Sequence, residues 1–227
     1  MASNVLAELK QHLNSRHIYP TPQWLLNFST SIRPTTPLPA LKQTALFRLL
    51  ATDITTTVSR SATGVFPPDV LNAEVPTHPL PGPVLCQVLD IEDIGHSNWS
   101  QVEAIEAKER GETTKGREVI RTVPGEDDLP SQEQSQSKGP FKLLLQDAKG
   151  TQIYAFDLKG VDGLNTNMNI GLKLMLRGCD VRRGTIMLDP ASVRILGGKI
   201  ETLDKVWKES RKERLIAAAK AGQEADG

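Results

Sequence analysis

The chain has 227 residues, enough for one large domain or two small ones at roughly 150 residues per domain. Hydrophobic residues make up 38%, and adding the 17 glycines gives about 45%, the low edge of a globular protein. Twenty-seven basic residues balance 27 acidic ones, which argues against a general nucleic-acid coat, because such a coat needs excess positive charge to displace counterions. Apolar runs such as Leu215 to Ala219 are far short of a bilayer span. The start lacks a signal-peptide pattern, and two cysteines, Cys86 and Cys179, fit a reducing compartment. The sequons at Asn27 and Asn98 then read as chance matches.

The first fifty residues read as short helices. Val5, Leu6, Leu9 and Leu13 fall at helical spacing. Thr21 can cap a second helix with Pro22 in its first turn and Trp24, Leu25 and Phe28 on its apolar side. A third begins near Pro39, with Leu41, Ala45, Leu46, Leu49 and Leu50 as its stripe. Residues 1–63 are thus expected to form a three-helix bundle. Helices this short need packing to persist, and Leu46, Leu49 and Leu50 are expected to dock on the next domain. Residues 64–83 hold six prolines and read as an extended linker crossing a surface.

Strand signals come next. Val84, Cys86, Val88 and Ile91 lie in one run, and Phe141 to Leu145 form a second. Gln152 to Leu158, Leu172 to Leu176, Arg183 to Leu188 and Val193 to Leu196 complete five or six strands, with glycine and aspartate turns between them. The expected architecture over 84–210 is a small β-barrel closed by a helix through Ile200, Leu203, Val206 and Trp207. In the signature strand, Ile186 and Leu188 should point inward. Residues 211–227 read as a charged, frayed tail. The whole is α+β.

Residues 95–139 do not fit a compact barrel, since connections longer than about 12 residues tend to be functional or disordered. Ser100-Gln101-Val102-Glu103 reads as a capping box, with Trp99 and Ala104 as its staple. From Asn98 to Gly139 there are nine acids and six bases, a net of −3. The stretch reads as a mobile insertion, whose one apolar cluster after the helix is Val119, Ile120 and Val123.

No catalytic constellation emerges. The four histidines and two cysteines lack metal-ligand spacing. Asp90, Glu92 and Asp93 form a tight acidic trio that more often solvates a strand end than holds magnesium. Gly197-Gly198-Lys199 lacks the first glycine and the hydroxyl residue of a phosphate loop. Arg177, Arg182 and Arg194 are candidate DNA contacts. The basic residues of the last helix read as a solvated face balanced by Glu201, Asp204, Glu209 and Glu213. Only Phe141, Tyr154 and Phe156 offer rings on the strands, which weakens a stand-alone single-strand binder.

Three stretches, in order, resemble the RecQ-mediated genome instability protein 1 family. The first is His17-Ile18-Tyr19-Pro20 with Trp24-Leu25 and Ala51-Thr52-Asp53-Ile54. The second is Cys86-Gln87-Val88 with Asp93-Ile94 and Ser100-Gln101. The third runs Arg182-Arg183-Gly184, an apolar strand, Pro190, then Leu196-Gly197-Gly198-Lys199-Ile200. The resemblance covers about residues 3–210. It implies a three-helix domain followed by an OB-fold with a long insertion between its first two strands. It also implies a non-catalytic nuclear subunit that binds topoisomerase III, acts with a RecQ-family helicase, and promotes decatenation and double Holliday junction dissolution. No cofactor, small-molecule substrate or membrane is implied, and DNA is met mainly through the complex. The insertion, through Trp99, Val119, Ile120, Val123 and Pro124, would reach the topoisomerase gate and favour its open state. The chain's length resembles the short fungal form. The alternative is a single-stranded-DNA-binding OB protein.

Overall fold

The computed structural model describes residues 2–33, 36–61, 64–80, 82–115, 118–121 and 137–225, and describes side chains for all of these except 2–4, 112–115, 118–121 and 223–225. Helices α1 (Ala2–Asn14), α2 (Pro22–Thr30) and α3 (Leu38–Leu50) form where the apolar spacing predicts them. The Thr21 hydroxyl accepts a 3.2 Å bond from the Trp24 amide, and Pro22 occupies the first turn of α2. A one-turn helix, α4 (Ile54–Thr57), adds to the expected three, because the Asp53 carboxylate accepts from the Thr55 amide at 2.9 Å and starts a new turn. Leu9, Phe28, Leu41 and Ala45 make the bundle's own small core.

Residues 64–83 differ from the expected surface linker. Phe66, Val70 and Leu80 are buried in the barrel core. The Phe66 amide donates to the buried Asp147 carboxylate at 2.8 Å, and the Leu80 amide donates to the Cys179 carbonyl at 2.7 Å. Strand β1 (His78–Pro79) pairs with β8 (Asp180–Arg182). The segment is therefore part of the barrel wall.

The remaining strands of the main sheet are β2 (Val84–Asp93), β5 (Phe141–Asp147), β6 (Gln152–Asp157), β7 (Lys173–Leu176), β9 (Thr185–Leu188) and β10 (Val193–Gly197); β3 and β4 lie in the insertion. The sheet order is β1-β8-β9-β6-β5-β2-β7-β10. Strands β7 and β8 run against β10 and β9 as one bent hairpin. One end of it pairs with β2, and the other meets β6 through the parallel β6–β9 ladder. The sheet thereby curls into a half-barrel. Val84, Cys86, Val88, Leu143, Leu145, Leu174, Leu176, Ile186 and Leu188 fill it, so Ile186 and Leu188 point inward as expected.

A second core joins the two domains. Leu13, Ile18, Leu49, Ile54 and Val58 from the helical domain pack with Leu85 and Met175 from the outer face of β2 and β7, and Leu46 leans on them. This explains why β2 is apolar on both faces from Val84 to Val88 apart from Gln87. That residue is satisfied at the seam: its amide nitrogen donates to Asp53 and Gln146, both at 2.9 Å, and its oxygen accepts from the Ile54 amide. Gly198 lies against the carbonyl oxygen of Leu50, where a Cβ would sit 2.2 Å away.

The last helix, α6 (Glu201–Ala225), does not fray at residue 211. Asp204 is buried, and its carboxylate accepts from the Ile170 amide at 2.8 Å while pairing with Lys199 and Lys208. Trp207 enters the barrel core, and Ala219 is buried three turns further on.

Candidate functional site at the root of the insertion

The insertion leaves the barrel at the end of β2 and returns at the start of β5, where Asp93 pairs with Phe141 in register. Its first part is α5 (Asn98–Glu109), followed by the hairpin β3 (Glu112–Lys115) and β4 (Glu118–Arg121). The helix begins earlier than the Ser100 capping box predicts. Ser97 is the cap, with its hydroxyl accepting from the Ser100 amide at 3.1 Å. This register frees Gln101, nearly buried, to donate to the Asp93 carbonyl at 2.9 Å and the His96 carbonyl at 3.1 Å.

Both ends of the insertion meet at Asp93. Its carboxylate lies 2.9 Å from His96 Nδ1 and accepts from the Gly95 amide at 2.9 Å. Ser137, arriving from the return arm, stands 3.3 Å from the same imidazole nitrogen. Burial pushes the Asp93 carboxyl up, but the hydrogen bonds from Ser137, Gly95 and His96 outweigh it and the net displacement is downward. Asp93 and Ser137 face one ring nitrogen. The trio is thus a clamp, since a proton relay would need a different partner on each nitrogen.

The acidic trio of the sequence splits among separate partners. Glu92 pairs with Lys142 at 3.2 Å. Asp90 accepts from the Trp207 indole and pairs with Arg214 at 3.2 Å. The α6 tail seats α5: Lys212 pairs with Glu109 at 2.7 Å and Glu106 at 3.3 Å. Arg211 and Arg214 also stack over the Trp207 ring at 5.5 and 5.3 Å. These partners lie on α5 and β2, so this face is docked and not simply solvated. A cleft of about 380 Å³ opens between the Asp90–Gln101 stretch and Trp207, Arg211 and Arg214.

Trp99 lies in the first turn of α5 and is 41% exposed, as is nearby Ile94 at 43%. Val119 and Ile120 are on β4, in register with Thr114 and Thr113. Val123 and Pro124 lie outside the described residues. The signature residues do local work. Arg183 adopts φ 47°, and Gly184 at φ 73° leaves room for the Leu71 carbonyl. Pro190 sits in an exposed turn capped by Asp189, which also pairs with Lys159. Gly197 and Gly198 both take positive φ.

The three arginines do not form one patch. Arg177 and Arg194 line a common cleft with Arg16 and His17. Arg182 sits on β8, 3.8 Å from Asp180. Of the strand rings, Phe141 is core and Tyr154 is exposed with the Lys142 ammonium 4.5 Å over it. Sequence reasoning missed the Asp93–His96 clamp, for which the three-residue spacing was the available signal.

Two family models match this architecture: "RMI1, N-terminal helical domain" over residues 13–57 and "RMI1, N-terminal OB-fold domain" over residues 66–211. The chain belongs to the RecQ-mediated genome instability protein 1 family. The OB-fold match begins at Phe66, in keeping with the burial of that residue in the barrel. Among similar proteins carrying that family name, the one of Schizosaccharomyces pombe is 32% identical over 136 residues, covering 54% of this chain and 58% of the relative. The Xenopus laevis protein is 32% identical over 119 residues, covering 52% and 20%. The Mus musculus protein is 27% identical over 161 residues, covering 67% and 23%. The chain spans less than two thirds of the length of these curated relatives. Membership supports a role in genome stability, and the family is named for that role and not for a catalytic activity.

Proposed function

We propose that the chain is a nuclear, non-catalytic subunit that binds topoisomerase III in company with a RecQ-family helicase and favours the open state of the topoisomerase gate. The observation that carries the reading is the anchored root of the insertion: α5, which leads into the hairpin, is fixed to the barrel by the Asp93 clamp and to α6 by Lys212. An arm held at its root can present Trp99, Val119 and Ile120 to a partner without first losing the orientational freedom of a free tether. A gate that opens and closes around a strand responds to differential affinity alone, so a subunit that fits the open form better shifts the equilibrium without reactive groups. Decatenation and double Holliday junction dissolution would follow from the topoisomerase's own chemistry. On the barrel strands the stand-alone single-strand reading has one exposed ring among the described residues, Tyr154, already engaged by Lys142.

The test replaces residues 112–139 with a short Gly-Ser linker. The melting temperature should stay within a few degrees, because the barrel core lies outside this stretch apart from contacts at its two ends. Topoisomerase III should still be captured, while stimulation of decatenation falls. Undiminished stimulation by the loop-less protein would remove the gate assignment.

A further inference from the structure

The cleft between the helical domain and β10 differs in its charges from the cleft beside Trp207, which is lined by Asp90, Glu92 and Asp93. It measures about 390 Å³. Arg16, Arg177 and Arg194 stand around it, and no carboxylate lines it among the described residues. This is a concentration of positive charge in a chain whose formal net charge is zero. Its floor is apolar, with Leu46, Leu50, Met175 and Leu196.

The geometry of each wall is set by backbone structure. On one side, α1 ends in a tight turn: the Ile18 amide donates to the Leu13 carbonyl and the His17 amide to the Asn14 carbonyl, with His17 at φ 60°. That turn holds Arg16 at the rim. On the other side, Arg194 is in register with Met175, and Arg177 follows just past the end of β7, its amide donating to the Ser192 carbonyl at 2.9 Å.

Four consecutive residues of β10, Val193 to Leu196, line the cleft. Side chains alternate between faces along a strand, so a cleft lying over one face would touch every second residue. This cleft therefore reaches the strand's backbone at its edge as well as the face that Arg194 shares with Met175. β10 is the terminal strand of the sheet and pairs with β7 alone among the described residues, and none of its residues is fully buried. It carries no proline or lysine to protect that edge.

We propose that this cleft is a docking site for an extended, acidic segment of a partner protein that adds a strand to the edge of β10. Main-chain bonds to β10 supply affinity, and alternate side chains supply specificity. Apolar side chains of the segment cover Leu50, Met175 and Leu196, while its carboxylates meet the guanidinium groups of Arg16, Arg177 and Arg194. A nucleic-acid strand fits less well. Bases need aromatic platforms, and the His17 imidazole is the only aromatic ring lining the cleft among the described residues. The inference stands apart from topoisomerase binding and concerns a different face.

The experiment selects random displayed peptides on the full chain alone, then measures the recovered peptides by fluorescence anisotropy. The expected peptides alternate aspartate or glutamate with apolar residues. Their affinity should fall at least roughly tenfold in the double variant Arg177→Glu/Arg194→Glu, and by a similar order in Arg16→Glu on the opposite wall, with unchanged melting curves. Recovery of no peptides, or of peptides without acidic excess, overturns the proposal, as does binding indifferent to charge reversal. Binding of labelled oligothymidylate with the same arginine dependence would assign the cleft to nucleic acid instead and also overturn it.

Discussion

Gly198→Ala and Gly197→Ala form a matched pair that measures the domain seam. Both glycines sit at positive φ, 94° and 85°. A Cβ at Gly197 would meet nothing within 4 Å, so alanine there adds the left-handed conformational penalty alone, about 1–2 kcal/mol. At Gly198 the same Cβ would sit 2.2 Å from the Leu50 carbonyl oxygen and 3.0 Å from its Cβ. The nearest atom belongs to backbone at the end of α3, so it cannot swing away. Either the strand-to-helix connection or the helical domain must move. Moving the domain opens the shared core of Leu13, Ile18, Leu49, Leu85 and Met175, where each buried side chain contributes about 1.5–3 kcal/mol. We expect Gly197→Ala to cost about 1–2 kcal/mol and Gly198→Ala at least about 2 kcal/mol more, a further loss on the order of 5 °C in Tm for a chain of this size. Urea unfolding and thermal melting of the two variants side by side give the difference. Equal costs would refute the idea that Gly198 keeps the two domains in contact.

Ile186→Ala truncates a fully buried side chain facing Ala155 across the β6–β9 ladder, and should cost about 2–5 kcal/mol by urea denaturation. A loss below about 1 kcal/mol would mean that the site collapses around the gap. Lys173 is fully buried; its ammonium donates to the Gly171 carbonyl at 2.7 Å, and burial pushes its pKa down to about 8 while Asp53 resists. The unfolded chain keeps that proton up to about pH 10.5, so between about pH 8 and 10.5 the unfolded state binds more protons and stability rises with pH. The rise should reach about 3 kcal/mol and be missing from Lys173→Met, and identical pH slopes in the two proteins would contradict it. Deleting residues 1–60 uncovers Leu85 and Met175, and the remaining barrel should aggregate. A soluble fragment with an unchanged melting transition would show the domains to be independent.

Several elements were legible because their signals are local. Thr21-Pro22 announced α2, and Leu46, Leu49 and Leu50 were rightly placed at the domain junction. The inward set of the signature strand followed from alternation. Other features depended on partners distant in sequence. Phe66, Val70 and Leu80 fall in short apolar stretches broken up by prolines, with no period to mark them as barrel wall. The charges of α6 looked solvated because their partners, Glu106 and Glu109 for Lys212 and Asp90 for Arg214, lie about a hundred or more positions away. The capping-box pattern pointed to Ser100, whereas the cap is Ser97, three residues earlier, in a register that gives Gln101 its bonds to the Asp93 and His96 carbonyls. Arg177 and Arg182 are near neighbours in sequence, yet the bend between β7 and β8 sends them to different walls.

The meeting of the insertion's two ends has a consequence for how such a chain can change over time. The Ile94 amide donates to the Pro140 carbonyl at 3.0 Å, and a Cβ on Gly95 would sit 2.7 Å from the Gly139 carbonyl oxygen. Whatever lies between leaves and re-enters the barrel through one doorway. The closure cost of such a segment grows only with the logarithm of its length, about 0.6 kcal/mol for each doubling. Residues can therefore be added or lost beyond the doorway with little effect on the ladder between β2 and β5. A lineage can resize and rewrite this arm while the barrel beneath keeps its stability.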